Sequence, residues 1–568
     1  MTGRGRFAAS ASFTPNVEQD LVANILVVGA GPTGLTMAAT LARHGVMPRL
    51  IERATVPPAD RSRAIVLQAR TLELFDDLGI VREVLDEALV VASANVFTQG
   101  GGRGTITIKP EWIDSLYGRF ATLPQDETER ILGELVARCG VTAERGVALV
   151  GFEDGEGSGV AVLQHADGRE ERMEIDYLLG CDGAHSAVRH LAGIEFPGSM
   201  YPDECLLGDV QMRWRLPDDQ LSICPVADGV LLAFPLPGEH HFRIIMILPA
   251  TAQPEDRHLE AEEFLAQLRR MVPRVAGAVD EPTILESRWL TRYRLHSRGV
   301  PTYRKGRAFV AGDAAHIHSP AGGQGMNTGI QDAYNLGWKL ALVARGVVPP
   351  AVLDTYHTER HRVGEVLLKS TDRMFSALAG GGRIGLAVRR FAPALAIRAL
   401  GFPIVGKRLA RFVSQTGIRY RDSALSTEAP GAGRLPRHAP HAGDRAPDVE
   451  LGYRHRVSDL LRGPHHTLLL FGGRSTALIE RFSELAREVT ARYGDLVKPV
   501  VIRLANAQPP RGEVDEHGAA HDRYGADPGA IYLVRPDGYI GFRGAETDTE
   551  PLRATLRARF ILAEPVRR

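Results

Sequence analysis

The sequence predicts a mixed α/β chain of several domains: a parallel-sheet unit, an antiparallel sheet inserted into it, and a small α/β domain at the C-terminal end. Three observations predict this. A strand–glycine turn–helix–strand unit of about 30 residues opens the ordered sequence. Two further strand-like runs, 177–183 and 307–313, are separated by segments of alternating polarity. A fresh strand–helix–strand pattern then begins after a Pro/Gly/His-rich stretch.

Taken in order, residues 1–22 are polar and rich in small side chains, lack the apolar core of a signal peptide, and read as a disordered leader. NILVVGA (24–30) is a β-branched apolar run suited to a buried parallel strand. In LTMAATLARHG (35–45), Leu35, Ala38, Ala39, Leu41 and Ala42 share a helical stripe, and Gly45 supplies the stop. PRLIER (48–53) is the next strand. A middle stretch around GVALVGFEDGEGSGVAVLQHADG has hairpin character. YLLGCDG (177–183) and RAFVAGD (307–313) are further buried strands, and a long helix is predicted from about Met326 to Arg345. HHFRIIMIL (240–248) and its neighbours read as a separate sheet with one wet face. EAPGAGRLPRHAPHAGDRAP reads as a linker by composition. Beyond it, HTLLLF, a helix near 475–492, KPVVIRL, and two strands joined around Pro536-Asp537-Gly538 complete the chain. The resulting division is a leader (1–22), a discontinuous first domain (23–190 and 290–372), an inserted sheet domain (191–289), a helical segment with linker (373–442) and a C-terminal domain (443–568).

Composition limits the function. The 568 residues are 44% hydrophobic and 24% charged, an ordinary globular balance. Lys+Arg and Asp+Glu both number 68, which argues against a nucleic-acid binder but not against a neutral aromatic ligand. Cys139, Cys181, Cys205 and Cys224 show neither C-x-x-C nor zinc-ligand spacing, so a reducing cytoplasm is the expected location. No apolar run of about 18 residues exists, so no membrane span is expected.

Three motifs carry chemistry. Gly29-x-Gly31-x-x-Gly34 lies between a strand and a helix. Its glycines permit a tight turn and close approach of a pyrophosphate, and the helix N-terminus favours the phosphate charge. Glu52, at the end of the second strand, stands where an acid can bind a ribose hydroxyl, which completes a Rossmann-like unit. This unit alone does not separate FAD from NAD. The second motif, Gly180-Cys-Asp182-Gly183-Ala-His-Ser186-Ala-Val-Arg189, suits a nucleotide-contacting turn but is as readily structural, and His185 reads as a surface residue. The third runs from Gly312-Asp313 through His316, His318, Pro320 and Gly322 to Gly325-Met326-Asn327. Its acid can bind sugar-like hydroxyls, and its glycine turn points helix N–H groups at developing negative charge. Its two histidines have no nearby acid or cysteine in sequence, so no metal site is predicted.

In this order and spacing, GAGPTG with Glu52, GCDGAHSAVR and GDAAHIHSPAGGQGMNTGIQDAYNLGWKL resemble the class A flavoprotein monooxygenases, such as the para-hydroxybenzoate, phenol and aromatic polyketide hydroxylases, over residues 24–372. The cysteine-free tail from 443 resembles the thioredoxin-like C-terminal domain of the larger members, VRPDGYIGFR most strongly; such tails serve structure or dimer contacts, so a homodimer is one expected assembly. The resemblance implies FAD as cofactor, NADPH or NADH as transient co-substrate, and transfer of one atom of O₂ to an aromatic small molecule through a flavin C4a-hydroperoxide. It also implies residue roles. Gly29, Gly31, Thr33 and Gly34 would line the pyrophosphate, with Arg63 near it. Glu52 would hold the adenosine ribose, with Arg53 beside the adenine and Leu149 giving it backbone contacts. Gln125 would contact the flavin side, Asp182 would serve FAD and the nicotinamide cofactor, and Gly312 with Asp313 would hold ribitol or ribose hydroxyls. Gly325, Met326 and Asn327 would present N–H groups to the isoalloxazine, and Pro320 would stand near its reactive C4a edge.

The pattern departs from phenol hydroxylase at Ile65, where that enzyme carries an acid, so no general base is assigned. Tyr201, Asp203 and Arg243 are the polar candidates in the inserted sheet, with solvated strand positions the simpler reading. Epoxidation or Baeyer–Villiger oxygenation shares this scaffold. A flavin-binding sensor and a dehydrogenase without O₂ chemistry are the alternatives from other classes.

Overall fold

The fold comes from a computed structural model of the chain. It describes residues 23–56, 64–97, 103–107, 109–214, 217–226, 229–248, 257–258, 260–271, 282–318, 323–379 and 402–562. The expected leader, Arg63 and Pro320 lie outside the described residues.

Strand Ile25–Val28 forms because four consecutive β-branched or leucine side chains are buried on both faces. It pairs in parallel with Tyr177–Gly180 on one side and Arg49–Glu52 on the other. Ala308–Val310 extends the sheet in parallel beyond Tyr177–Gly180, and Ala143–Arg145 extends it beyond Arg49–Glu52. Helix Pro32–Arg43 packs against the long helix Gly325–Ala344. Their approach is close because Gly329 faces Thr33 and Gly337 faces Thr40; a Cβ at Gly337 would stand 2.8 Å from the Thr40 methyl. The hairpin-like middle stretch is the antiparallel set Val147–Asp154, Gly159–His165 and Glu170–Ile175.

The inserted sheet is larger than its sequence signal. Its order runs Arg257–His258, Thr283–Gly299, Gly198–Arg213, His241–Leu248, Gly229–Pro235, Leu221–Val226, Ser93–Phe97 and Arg103–Thr107. The last two strands come from the stretch expected to belong to the first domain. They enter because Ser93–Phe97 pairs in parallel with Leu221–Val226, a contact spanning over a hundred residues of sequence. The expected wet face is also corrected: all of His241–Leu248 is buried. Phe242, Ile244, Met246 and Leu248 pack with Phe264, Leu268 and Met271 of helix Ala261–Met271, while Ile245 and Ile247 pack on the other side with Ile65 and Val66.

The C-terminal sheet centres on His466–Gly473, parallel to Val497–Leu504 across helix Thr476–Tyr493 and antiparallel to Ala530–Val534, which pairs with Ile540–Ala545. This is a thioredoxin-like arrangement. The stretch expected to be a linker is part of it. Thr427–Glu428 pairs in parallel with Ile540–Ala545, and Ala429, Ala432, Leu435, Ala439, Ala442 and Ala446 are buried. Its backbone groups find partners across the chain, with Gly443 N donating to Ile540 O (2.7 Å) and Ala446 N to Gly538 O (2.9 Å). A Pro/Gly-rich segment whose polar groups are satisfied in this way can be core. No helix among the described residues is long and apolar enough to cross a membrane.

The seam between the domains holds neutral histidines. His44, at the end of the first helix, bonds Thr40 O through Nδ1 (2.8 Å), and burial pushes its pKa down to about 4. His466 lies edge-on to Trp338 and Phe560 and is driven well below its ordinary 6.5 by burial. Both groups take up a proton in the unfolded chain below pH 6.5 and resist it when folded. Their contribution is therefore complete above that pH and is lost as pH falls below it; for His44 the loss runs down to about pH 4, at about 1.4 kcal/mol per pH unit. The unfolding temperature, scanned across this range, is expected to fall, and His466→Phe to reduce the slope.

Candidate active site

The three motifs meet at one end of the parallel sheet. Val28 is in register with Gly180, and Gly180 with Val310, so the turns that follow emerge side by side at the carboxyl ends of adjacent strands, where open α/β sheets bind ligands. Backbone bonds lock the three turns together: Gly29 N to Ile51 O (2.8 Å), Cys181 N to Val28 O (2.8 Å) and Ala311 N to Gly180 O (2.9 Å).

The first turn is a cradle that side chains would fill. Gly29 has φ +101°, and a Cβ there would strike the Cys181 carbonyl. A Cβ on Gly34 would overlap the Gly29 carbonyl oxygen. Gly31 is different: its Cβ would meet only Glu129 Oε1, at 3.9 Å, so its free face opens onto the site. Gly31 stands at the N-cap of Pro32–Arg43 with no side-chain cap, which leaves that helix start for a phosphate. Thr33 is turned elsewhere: its hydroxyl lies against Gly312 and Gly329 and sets the contact between turn and long helix. Glu52 accepts Ala30 N and Ala54 N, both at 2.9 Å, and its carboxylate has lone pairs left for a hydroxyl. Arg53 is exposed beside it. Gln125 opens helix Gln125–Arg138, accepts Ala64 N (3.2 Å) and donates to Glu129 (2.8 Å). The Leu149 side chain is buried in the main core, so only its backbone is available to a ligand.

In the second turn, Asp182 Oδ2 accepts Ala187 N (2.6 Å) and Val188 N (3.2 Å), capping helix Ala187–Leu191. Its Oδ1 is buried without a partner, and burial raises its pKa. An orphaned buried acceptor at the sheet end fits a ligand donor. His185 is exposed. Arg189 joins this turn to the third by donating to Ala314 O (2.9 Å) and Ala184 O (2.7 Å).

In the third, Gly312 has φ +60°, and Asp313 beside it is exposed. Gly325–Ala344 then begins without a side-chain cap at Gln324, so the N–H groups of Gly325, Met326 and Asn327 belong to the unsatisfied first turn. The Asn327 side chain acts as a clasp: Oδ1 accepts Gln68 N (2.8 Å), and Nδ2 donates to Val66 O (2.7 Å) and Gly323 O (2.8 Å). Glycine turns, two uncapped helix starts and an orphaned carboxylate oxygen together fit a dinucleotide with an anionic ring at one end.

The clasp brings Val66 and Ile65 against the inserted sheet, whose face there carries Leu207, Leu232, Phe234, Ile245 and Trp289. Arg243 lies in this face, fully buried, and not solvated as its strand position suggested. Asp209 neutralises it through Nε (2.5 Å) and Nη2 (2.6 Å), its Nη1 reaches Ala64 O (3.3 Å), and Trp289 lies 5.3 Å from it. The Tyr201 hydroxyl bonds Asp372, which also accepts Ser297 (3.2 Å). Sequence reasoning missed a buried ladder on the long helix, Asn327, Gln331, Asn335 and Lys339, with Asp332 beside it. The signal was present: polar residues every fourth position on an otherwise apolar helix are costly unless partnered.

Comparison with known proteins agrees with this geometry. Residues 22–371 match the family described as FAD binding domain, and residues 439–562 match the aromatic-ring hydroxylase C-terminal family. The chain is 33% identical to the pentachlorophenol 4-monooxygenase of Sphingobium chlorophenolicum, covering 92% of this chain and 94% of that one. It is 34% identical to the 6-methylpretetramide 4-monooxygenase of Streptomyces rimosus, over 95% and 94%. Among solved structures, the anhydrotetracycline hydroxylase OxyS from Streptomyces rimosus superposes with a TM-score of 0.72 at 29% identity, over 95% of this chain and 99% of that one. The chain therefore belongs to the FAD-dependent monooxygenases with an aromatic-ring hydroxylase C-terminal domain.

Proposed function

We propose that the chain hydroxylates an electron-rich aromatic small molecule of the phenolic or polyketide type, held where the inserted sheet, strand Val66–Leu67 and the first turn of the long helix meet. The observation that carries this is the sheet face itself: an apolar floor of Leu207, Leu232, Phe234, Ile245 and Trp289, with Arg243 as its buried cation, set beside the first turn of the long helix. Such a floor excludes water and accepts a flat ring. The relatives named for pentachlorophenol and 6-methylpretetramide support the substrate class.

The three turns would hold FAD, whose chemistry when bound would be hydride acceptance from NADPH or NADH and activation of O₂ for transfer of one oxygen atom. This chain's share is placement. Gly29, Gly31 and Gly34 would admit the pyrophosphate, Glu52 and Asp313 would hold hydroxyls, and the N–H groups of Gly325, Met326 and Asn327 would stabilise negative charge on the ring system. Ile65 is buried in the floor, so no acid stands there to take a phenol proton, and Asp209 is engaged by Arg243.

The test is NADPH and NADH oxidation by the purified holoenzyme against a panel of phenols and aromatic polyketides. One class is expected to accelerate oxidation and yield a product heavier by about 16 mass units, as insertion of one oxygen requires. Equal rates with every compound and without any would reject this substrate class.

A further inference from the structure

We propose that Arg360 is a positioning residue for the flavin site, and that through Tyr420 it makes the C-terminal domain part of the apparatus that shapes the Gly312–His316 turn. The inference rests on the reading that this turn holds FAD.

Arg360 is fully buried on helix Asp354–Ala379, and its guanidinium reaches three partners, two on the long helix and one in the segment before the C-terminal domain. Nε donates to Asp332 Oδ1 (2.6 Å), Nη2 to Thr328 O (3.1 Å) and Nη1 to the Tyr420 hydroxyl (2.8 Å). Asp332 spans the turn, because its other oxygen accepts Gly312 N (3.1 Å) and bonds His316 Nε2 (2.9 Å). One carboxylate thus pins both ends of the turn, and one guanidinium holds that carboxylate and the start of the long helix in fixed relation. Burial alone would push the Asp332 pKa up; Arg360 and His316 hold it below the ordinary range. A buried carboxylate without its cation would protonate or move, and Gly312 and His316 would lose their common acceptor.

Tyr420 carries the connection outward. Its ring lies 4.2 Å from that of Tyr539 and 5.5 Å from the Arg535 guanidinium, both in the C-terminal domain. Gln415, five residues earlier, donates to Thr328 Oγ1 (2.9 Å) and accepts Gln331 Nε2 (2.5 Å). The segment 414–423 is therefore a wedge that the C-terminal domain presses onto the first turn of the long helix.

The experiment compares Arg360→Met, Arg360→Lys, Tyr420→Phe and, as a stability control, Phe482→Leu in the C-terminal core, all in the full chain. Thermal unfolding, FAD dissociation and the midpoint potential of bound FAD are measured. Arg360→Met and Tyr420→Phe are expected to shift the potential and weaken FAD binding, by about tenfold for loss of a buried charge-assisted hydrogen bond. Arg360→Lys should recover part of the loss, and Phe482→Leu should lower the unfolding temperature alone. Wild-type affinity and potential in both Tyr420→Phe and Arg360→Lys would overturn the proposal. Tyr420→Phe removes a single hydroxyl and carries the test if Arg360→Met does not fold. A wild-type chain that takes up no FAD would overturn the flavin reading itself, and the proposal with it.

Discussion

Gly34→Ala is expected to yield a colourless or insoluble protein. The added Cβ would overlap the Gly29 carbonyl oxygen and stand 3.0 Å from its carbon, against backbone that strand pairing holds in place. Helix Pro32–Arg43 would have to leave the sheet, and with it the Thr33 and Thr40 contacts to the long helix. Loss of close packing on this scale costs about 4 kcal/mol or more. Gly31→Ala is the informative partner. Its Cβ meets nothing nearer than 3.9 Å within the protein, so the fold should survive while the space left for the ligand shrinks. Thermal unfolding and flavin absorbance per protein separate the two. The expected pattern is loss of both for Gly34→Ala and loss of flavin alone for Gly31→Ala. Normal flavin content in Gly34→Ala would contradict the geometry of the turn.

Arg535→Met is the second large effect. Arg535, Lys339, Glu359 and Asp537 form a buried cluster of two cations and two carboxylates between the domains. Arg535 donates to both Glu359 oxygens (2.6 and 2.9 Å) and to both Asp537 oxygens (2.9 and 2.5 Å), and Lys339 donates to Glu359 (2.7 Å). Burial brings the Lys339 pKa down to about 8, while Arg535 and Lys339 hold Glu359 far below the carboxylate range despite its burial. Removing Arg535 leaves one carboxylate in excess where water does not reach, a loss of about 3–5 kcal/mol. Arg535→Lys keeps the charge but loses the fork, and should fall in between. Adding Asp537→Asn to Arg535→Met restores neutrality and should recover stability, with the coupling read from a double-mutant cycle of unfolding free energies. An Arg535→Met chain as stable as wild type would show that the cluster contributes nothing.

What could be read from the sequence was local. The strand–turn–helix–strand unit at 24–53 and the hairpin around Pro536-Asp537-Gly538 appear where the periodicity placed them, because each is set by neighbouring residues. The convergence of the three turns follows from strand order, which the spacing of GAGPTG, GCDG and GDAAH implied through the family resemblance alone. What could not be read depends on distant partners. Ser93–Phe97 joins the inserted sheet only by pairing with Leu221–Val226. Arg243 is buried only because Asp209 stands opposite it in register on the neighbouring strand. The stretch 428–447 resembles a linker in composition, yet Glu428 and Asp444 accept its N–H groups and strand Ile540–Ala545 holds it. The turn residues were legible as motifs. The Asp332–Arg360–Tyr420 chain behind them was not, because its members lie on separate segments of the sequence.

The central claim, that this chain transfers one atom of O₂ to an aromatic substrate at FAD, is tested most directly by isotopically labelled dioxygen. The holoenzyme is given NADPH or NADH, the compound that accelerates its oxidation, and heavy-oxygen O₂ in ordinary water. One labelled oxygen atom in each product molecule is the predicted result. Consumption of NAD(P)H with no label in any product, or a product whose new oxygen comes from water, would contradict it.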